Sequence, residues 1–71
     1  MSDFEVSNEY KLEVLNKRLE ALNVEGWHNE EARLIAQATG NDEEVARLTN
    51  NIDIIKNAII TVKQQITDLN K

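Results

Sequence analysis

The residue best suited to chemistry near neutral pH is His28, the one histidine of the chain. Glu25 precedes it with the Glu-x-x-His spacing that carboxylate-bridged metal sites use, and such sites combine several segments of this kind. This chain has a single copy, with Gly26 inside it, and it has no cysteine. We therefore predict no metal site and no cofactor, and we interpret His28 as a solvated side chain.

Groups for acid–base or nucleophilic catalysis are equally sparse. The sequence contains neither a serine, histidine and aspartate set nor a glycine-rich phosphate loop. Catalytic carboxylates need contrasting environments, whereas the acidic residues here fall mostly on faces predicted to be exposed. We predict no catalytic residues and no enzymatic activity.

The strongest pattern is a heptad repeat toward the C-terminus. Its a and d positions are aliphatic over four heptads without a slip, and these eight residues are named the seam: Val45, Leu48, Ile52, Ile55, Ile59, Val62, Ile66 and Leu69. A period of 3.5 residues is typical of a helix that packs lengthwise against other helices. The seam is therefore the predicted oligomerisation site.

The rest of the chain is predicted to fold back on this helix. Leucines at 12, 15, 19 and 22 repeat the same spacing, and proline is absent. Gly26 and Gly40 interrupt the helical sequence, which places a loop at residues 23–29 and a turn near Gly40. The predicted helices cover about 3–24, 30–39 and 42–70 of one domain, 1–71.

Capping residues support these bounds. Ser2 or Ser7 is the predicted start of the first helix, Asn29 of the second, and Asn41 of the third, with Glu44 at the capping-box spacing. The predicted fold class is all-α: a bent two-helix arm packed antiparallel on a long C-terminal heptad helix, in a coiled-coil-like helical bundle. Trp27 follows the predicted bend and is expected to plug it.

The seam also predicts how many helices assemble. Its β-branched a positions, with isoleucine or valine at half of the d positions, favour three or four strands over two. Ile54, Ala58 and Ile60 widen the apolar face beyond a two-helix seam. We predict a homo-oligomer, with a trimer or tetramer favoured over a dimer; a monomeric bundle or a different partner is the alternative.

The charge distribution bears on the class of partner. The net charge is -5, with -7 in residues 1–44 and +2 in residues 45–71. Ala36 and Gly40 have helix-turn-helix spacing, but residues 42–44 are acidic and would repel phosphate. We predict no nucleic-acid partner, no membrane partner, and a cytoplasmic location or a particle assembled in the cytoplasm.

About half of the chain resembles a ubiquitin-associated domain, a three-helix module with a methionine, glycine and aromatic triplet after its first helix. The resemblance is carried by Leu19, Leu22, Gly26, Trp27, Ala32 and residues 38–42. Glu25 stands in place of the methionine, and the third helix here is much longer than in that family. The resemblance implies that Gly26 and Trp27 lie in a loop that binds protein.

The sequence thus predicts a non-enzymatic structural or assembly protein, either a coiled-coil oligomerisation module or an accessory subunit of a larger complex. A virion component or an assembly chaperone would fit this build. One alternative is a monomeric adaptor that binds a protein or peptide through Trp27. Another is an acidic inhibitor that uses Glu30, Glu31 and residues 42–44 to mimic nucleic acid.

Overall fold

The computed structural model describes residues 4–71 as two α-helices joined by a tight turn. Helix α1 spans Asn8–Ala38 and helix α2 spans Asp42–Leu69. They pack along their lengths in a hairpin that measures 50 × 19 × 18 Å. The predicted all-α fold class is confirmed, and so is an N-terminal arm packed antiparallel on the heptad helix.

The loop predicted at residues 23–29 is wrong, because α1 continues through it. The arm is one helix rather than two, so Trp27 plugs no bend. Gly40, with φ 71°, is the one described glycine with positive φ, and Gly26 is helical. Asn29, predicted as a helix start, lies inside α1, where its Nδ2 donates to the carbonyl oxygen of Glu25 at 2.8 Å.

Packing explains why a glycine does not break this helix. One glycine in a helix interior costs about 1 kcal/mol relative to alanine. The a and d spacing of the leucines continues beyond Gly26, and every a and d position of α1 from residue 12 onward is buried or half-buried: Leu12, Leu15, Leu19, Leu22, Gly26, Asn29, Arg33 and Ala36. A break in α1 would uncover Ile52 and Ile55, which are buried. Continuous contact with α2 therefore offsets the cost of the glycine.

Local capping sets the ends of the helices. The Ser7 side chain accepts a hydrogen bond from the Tyr10 amide at 3.1 Å and begins α1, while Ser2 lies outside the described residues. At the other end of α1, the amides of Gly40 and Asn41 donate to the carbonyls of Gln37 and Ala36. This pair of bonds is the Schellman arrangement, which favours glycine because the residue after the cap is left-handed.

The start of α2 confirms half of the predicted capping box. The Asn41 side chain accepts from the Glu44 amide at 3.2 Å, as an N-cap should. The Glu44 carboxylate does not return to Asn41 but accepts a hydrogen bond from Arg47. Thr39, Gly40 and Asn41 therefore suffice to reverse the chain.

Candidate interaction surface

The seam lies against α1 of the same chain. Leu48, Ile52, Ile55 and Val62 are buried, and Val45, Ile59, Ile66 and Leu69 are half-buried. The close approach of Gly26 to Ile55 shows the register of the two helices, since a Cβ added to Gly26 would lie 3.5 Å from Cγ2 of Ile55. Because the helices are antiparallel, the residue seven positions before Gly26 is aligned with the residue seven positions after Ile55, and the reverse holds in the other direction. Leu19 is therefore aligned with Val62, and Arg33 with Leu48.

This core differs between the two halves of the hairpin. Far from the turn, α1 presents four leucines to the seam, and near the turn it presents Gly26, Asn29, Arg33 and Ala36. No side chain among residues 4–71 has an exposed fraction below 2%. Helix α1 therefore covers the seam of α2 without enclosing it, and the two side faces of the hairpin stay open to solvent.

The first outer face is named the aliphatic flank. It contains a groove lined by Val6, Tyr10 and Val14 together with Gln65 and Asp68 of α2. Residues seven apart lie on the same side of a heptad helix, so the flank continues toward the turn through these residues: Ala21 and Ile35 on α1, and Ala58, Ile54 and Asn51 on α2. Tyr10, Ile35 and Ile54 are all more than half exposed.

The opposite face is named the tryptophan flank. Trp27 lines a groove there with Asn23, Glu30 and Lys56, and heptad spacing adds Leu34 and Ile60. The Trp27 indole is 58% exposed. It meets the His28 ring edge-to-face, with 5.2 Å between the ring centroids. Its position on an open helix face makes Trp27 accessible to a partner.

The hairpin is electrically uneven from end to end. The half next to the turn, residues 25–54, carries seven acidic and two basic side chains, a net charge of -5. The far half, residues 4–24 and 55–71, carries five acidic and six basic side chains, a net charge of +1. We call these the turn half and the open half. Their opposite signs favour a neighbour that lies in the reverse direction.

The ion pairs of the described chain are local, since each joins residues three or four positions apart. They are Lys17 with Glu13, Arg47 with Glu44, and Lys71 with Asp68. The hydrogen bond from Arg47, with a smaller contribution from its charge, lowers the pKa of the Glu44 carboxyl below its ordinary value. None of these pairs links α1 to α2.

The sequence matches no protein-family model, no curated protein and no solved structure. Within residues 4–71, neither helix combines the length and apolar character needed to cross a membrane. The same residues hold no group of three or more acidic or histidine side chains placed to bind a metal ion.

The residues singled out by the resemblance to ubiquitin-associated domains have a different setting here. Gly26 and Trp27 lie in the middle of α1 rather than in a loop. Gly26 faces α2 at the seam, whereas Trp27 faces outward. The three-helix arrangement of that family is therefore not the fold of the described chain, and any binding role of Trp27 has to rest on its exposure.

The predicted break at Gly26 does not identify Ile35 as a surface residue. It places Ile35 in a short second helix, residues 30–39, where an aliphatic side chain is expected to pack, but Ile35 is 67% exposed. Extending the leucine spacing across Gly26 identifies it, because that extension puts Ile35 in line with Val14 and Ala21 on the side of α1.

Proposed function

We propose that this protein is a non-enzymatic structural or assembly protein, a helical hairpin that associates with copies of itself. The same surface would also suit a small subunit of a larger assembly, such as a virion component or an assembly chaperone. The observation that carries the proposal is the set of large aliphatic side chains left outside the core. Ile35, Ile54 and Ile60 are 67%, 58% and 65% exposed.

The size of the chain supports this proposal. Chains below about 70–80 residues rarely gain more than 3–5 kcal/mol from one hydrophobic core, and many add stability by oligomerisation. This chain has 71 residues and no cysteine for a disulfide. Half of its seam is only half-buried, so a neighbour that covers the flanks would remove further apolar surface from water.

The number of chains follows from the number of helices. The seam composition favours three or four helices in a bundle. Each chain brings two helices, so two hairpins reach four, and a dimer becomes the smallest assembly that satisfies this preference. The trimer or tetramer of chains predicted from the sequence would instead contain six or eight helices, packed around a larger core than that of a dimer.

The test is absolute mass in solution, measured by light scattering or sedimentation over a hundredfold range of concentration. A defined dimer, trimer or tetramer with helical circular dichroism supports the proposal. A monomer at every concentration would overturn it, because the exposed isoleucines would then have no role in association. Helicity measured at the same concentrations separates dissociation from unfolding.

The exposure of Trp27 favours a second candidate, an adaptor that binds a protein or peptide through the tryptophan flank. Since the indole is largely outside the core, Trp27→Ala should leave the melting temperature nearly unchanged while removing such binding. A large fall in melting temperature would show that Trp27 acts in packing. Leu34→Ala, on the same flank, is the matched control for general loss of apolar surface.

A further inference from the structure

We infer that a second copy of this chain docks on the aliphatic flank, head to tail, around a two-fold axis that crosses the flank beside Ala21. This inference rests on the proposed self-association and adds the face and the orientation. The partner is thus an identical hairpin whose turn half lies over the open half of the first copy. The tryptophan flank stays outside this contact.

Charge along the flank supports the head-to-tail orientation. Heptad spacing places Lys11, Arg18 and Asp68 on its open half, a net charge of +1, and Glu25, Glu44 and Arg47 on its turn half, a net charge of -1. Arg18 and Glu25 form no ion pair within residues 4–71, so both charges are available to a neighbour. A parallel neighbour would bring Arg18 close to its own copy and Glu25 close to its own copy.

The position of the axis follows from those two charges. Arg18 and Glu25 are one heptad apart, about 10 Å along the helix. A two-fold axis halfway between them lies beside Ala21, and it brings each Arg18 to the level of Glu25 on the other copy. Ala58 lies on the same flank at nearly the same level of α2. Small side chains at the axis allow the two hairpins to approach closely.

The same axis gives the exposed aliphatic residues a place to pack. It carries Ile35 of one copy to the level of the groove lined by Val6 and Tyr10 on the other. It carries Ile54 of α2 to the level of Gln65 on α2 of the other copy, which lines the same groove. The most exposed isoleucine of the flank therefore meets an apolar groove, and each such contact occurs twice because of the symmetry.

The aliphatic flank suits a second copy better than the tryptophan flank does. Its α2 positions closest to the seam in the middle of the hairpin are Asn51, Ala58 and Gln65, none of which is charged. The corresponding positions of the tryptophan flank include Lys56 and Lys63, and heptad spacing places Asp53 in line with Ile60. Burying those charges without partners would cost more than the apolar contact returns.

Cysteine cross-linking tests the face and the orientation together, since the chain has no cysteine of its own. We expect Ala21→Cys to form a disulfide with itself under mild oxidation. A mixture of Tyr10→Cys and Ile35→Cys chains should form the mixed disulfide. Ile35→Cys alone should not self-link, because its two copies would be about 40 Å apart along the hairpins and a disulfide needs Cα atoms within about 7 Å.

A matched pair of lysine variants tests the face without oxidation. Ile54→Lys on the aliphatic flank should weaken self-association by about a hundredfold, the effect of losing a buried apolar contact at an interface. Ile60→Lys on the tryptophan flank should leave it unchanged. Both positions are exposed in the single chain, so circular dichroism should show folded hairpins in each case.

The charge swap gives an independent result. Arg18→Glu and Glu25→Arg should each weaken association by about tenfold, and the double variant should restore it. Self-linking of Ile35→Cys would overturn the orientation, and equal effects of the two lysine variants would overturn the face. If the protein still oligomerises, either of these two results contradicts only the docking geometry and not the proposed self-association. A wild-type protein that is monomeric at every concentration would refute the proposed function itself.

Discussion

Gly26→Ala is the substitution that tests the continuity of α1 most directly. In the hairpin, Gly26 is a helical residue at an a position that faces Ile55. If α1 instead ended near this residue, as the sequence pattern suggests, Gly26 would adopt the left-handed conformation that disfavours alanine. The sign of the change in the free energy of unfolding therefore distinguishes the two structures.

The expected gain can be worked out from two contributions. Alanine is favoured over glycine in a helix interior by about 0.8–1.0 kcal/mol. The added Cβ would lie 3.5 Å from Cγ2 of Ile55, an ordinary van der Waals contact that requires no movement of the helices. Partial burial of that methyl adds a fraction of the roughly 0.8 kcal/mol of a buried methylene. We expect a total of about 1–1.5 kcal/mol per chain.

Thermal unfolding followed by circular dichroism is the assay. A gain of this size should raise the melting temperature by about 5–10 °C in a domain of this length. Gly40→Ala is the matched control, because Gly40 has φ 71° and nothing lies within 4 Å of the position its Cβ would take. The same chemical change there should destabilise the protein by about 1 kcal/mol through backbone strain alone.

Opposite signs for the two alanine variants would support one continuous helix followed by a left-handed turn. Loss of stability in Gly26→Ala would refute the reasoning, since it would mean that Gly26 ends a helix or that the helices approach too closely for a methyl group. Measurements at one fixed protein concentration are needed, because association would make the melting temperature depend on concentration.

Two further predictions concern polar groups of the hairpin. Asn29→Leu should raise the melting temperature, because the Asn29 amide occupies a half-buried d position aligned with Ile52. Chemical denaturation would measure the gain in the free energy of unfolding. A loss would show that the hydrogen bond from Asn29 to the Glu25 carbonyl matters more than apolar packing. Arg47→Gln should make stability less sensitive to acid, because the lowered pKa of Glu44 contributes stability above the carboxyl's unfolded pKa that disappears as pH falls through the folded value. Melting curves at about pH 7 and about pH 3 would check this, and a variant that differs equally from wild type at both values would contradict it.

Local sequence determined much of the hairpin. Ser7 and Asn41 cap their helices, and Gly40 provides the left-handed residue of the turn, because each of these features needs only its immediate neighbours. The heptad period of α2 likewise required a helix that packs lengthwise, whatever its partner. These are the parts of the prediction that the structure confirms.

Only the tertiary structure decided the state of Gly26 and the partner of the seam. A glycine tolerates both helical and left-handed backbone, so its conformation depends on what lies opposite, here Ile55. A repeat of apolar a and d positions indicates that a helix packs against a neighbouring helix, but it does not indicate which chain that neighbour belongs to. The same side chains can pack against a helix of their own chain or against a helix of another chain. With α1 unbroken, its full length covers the seam, and the surface left for other molecules shifts to the two flanks.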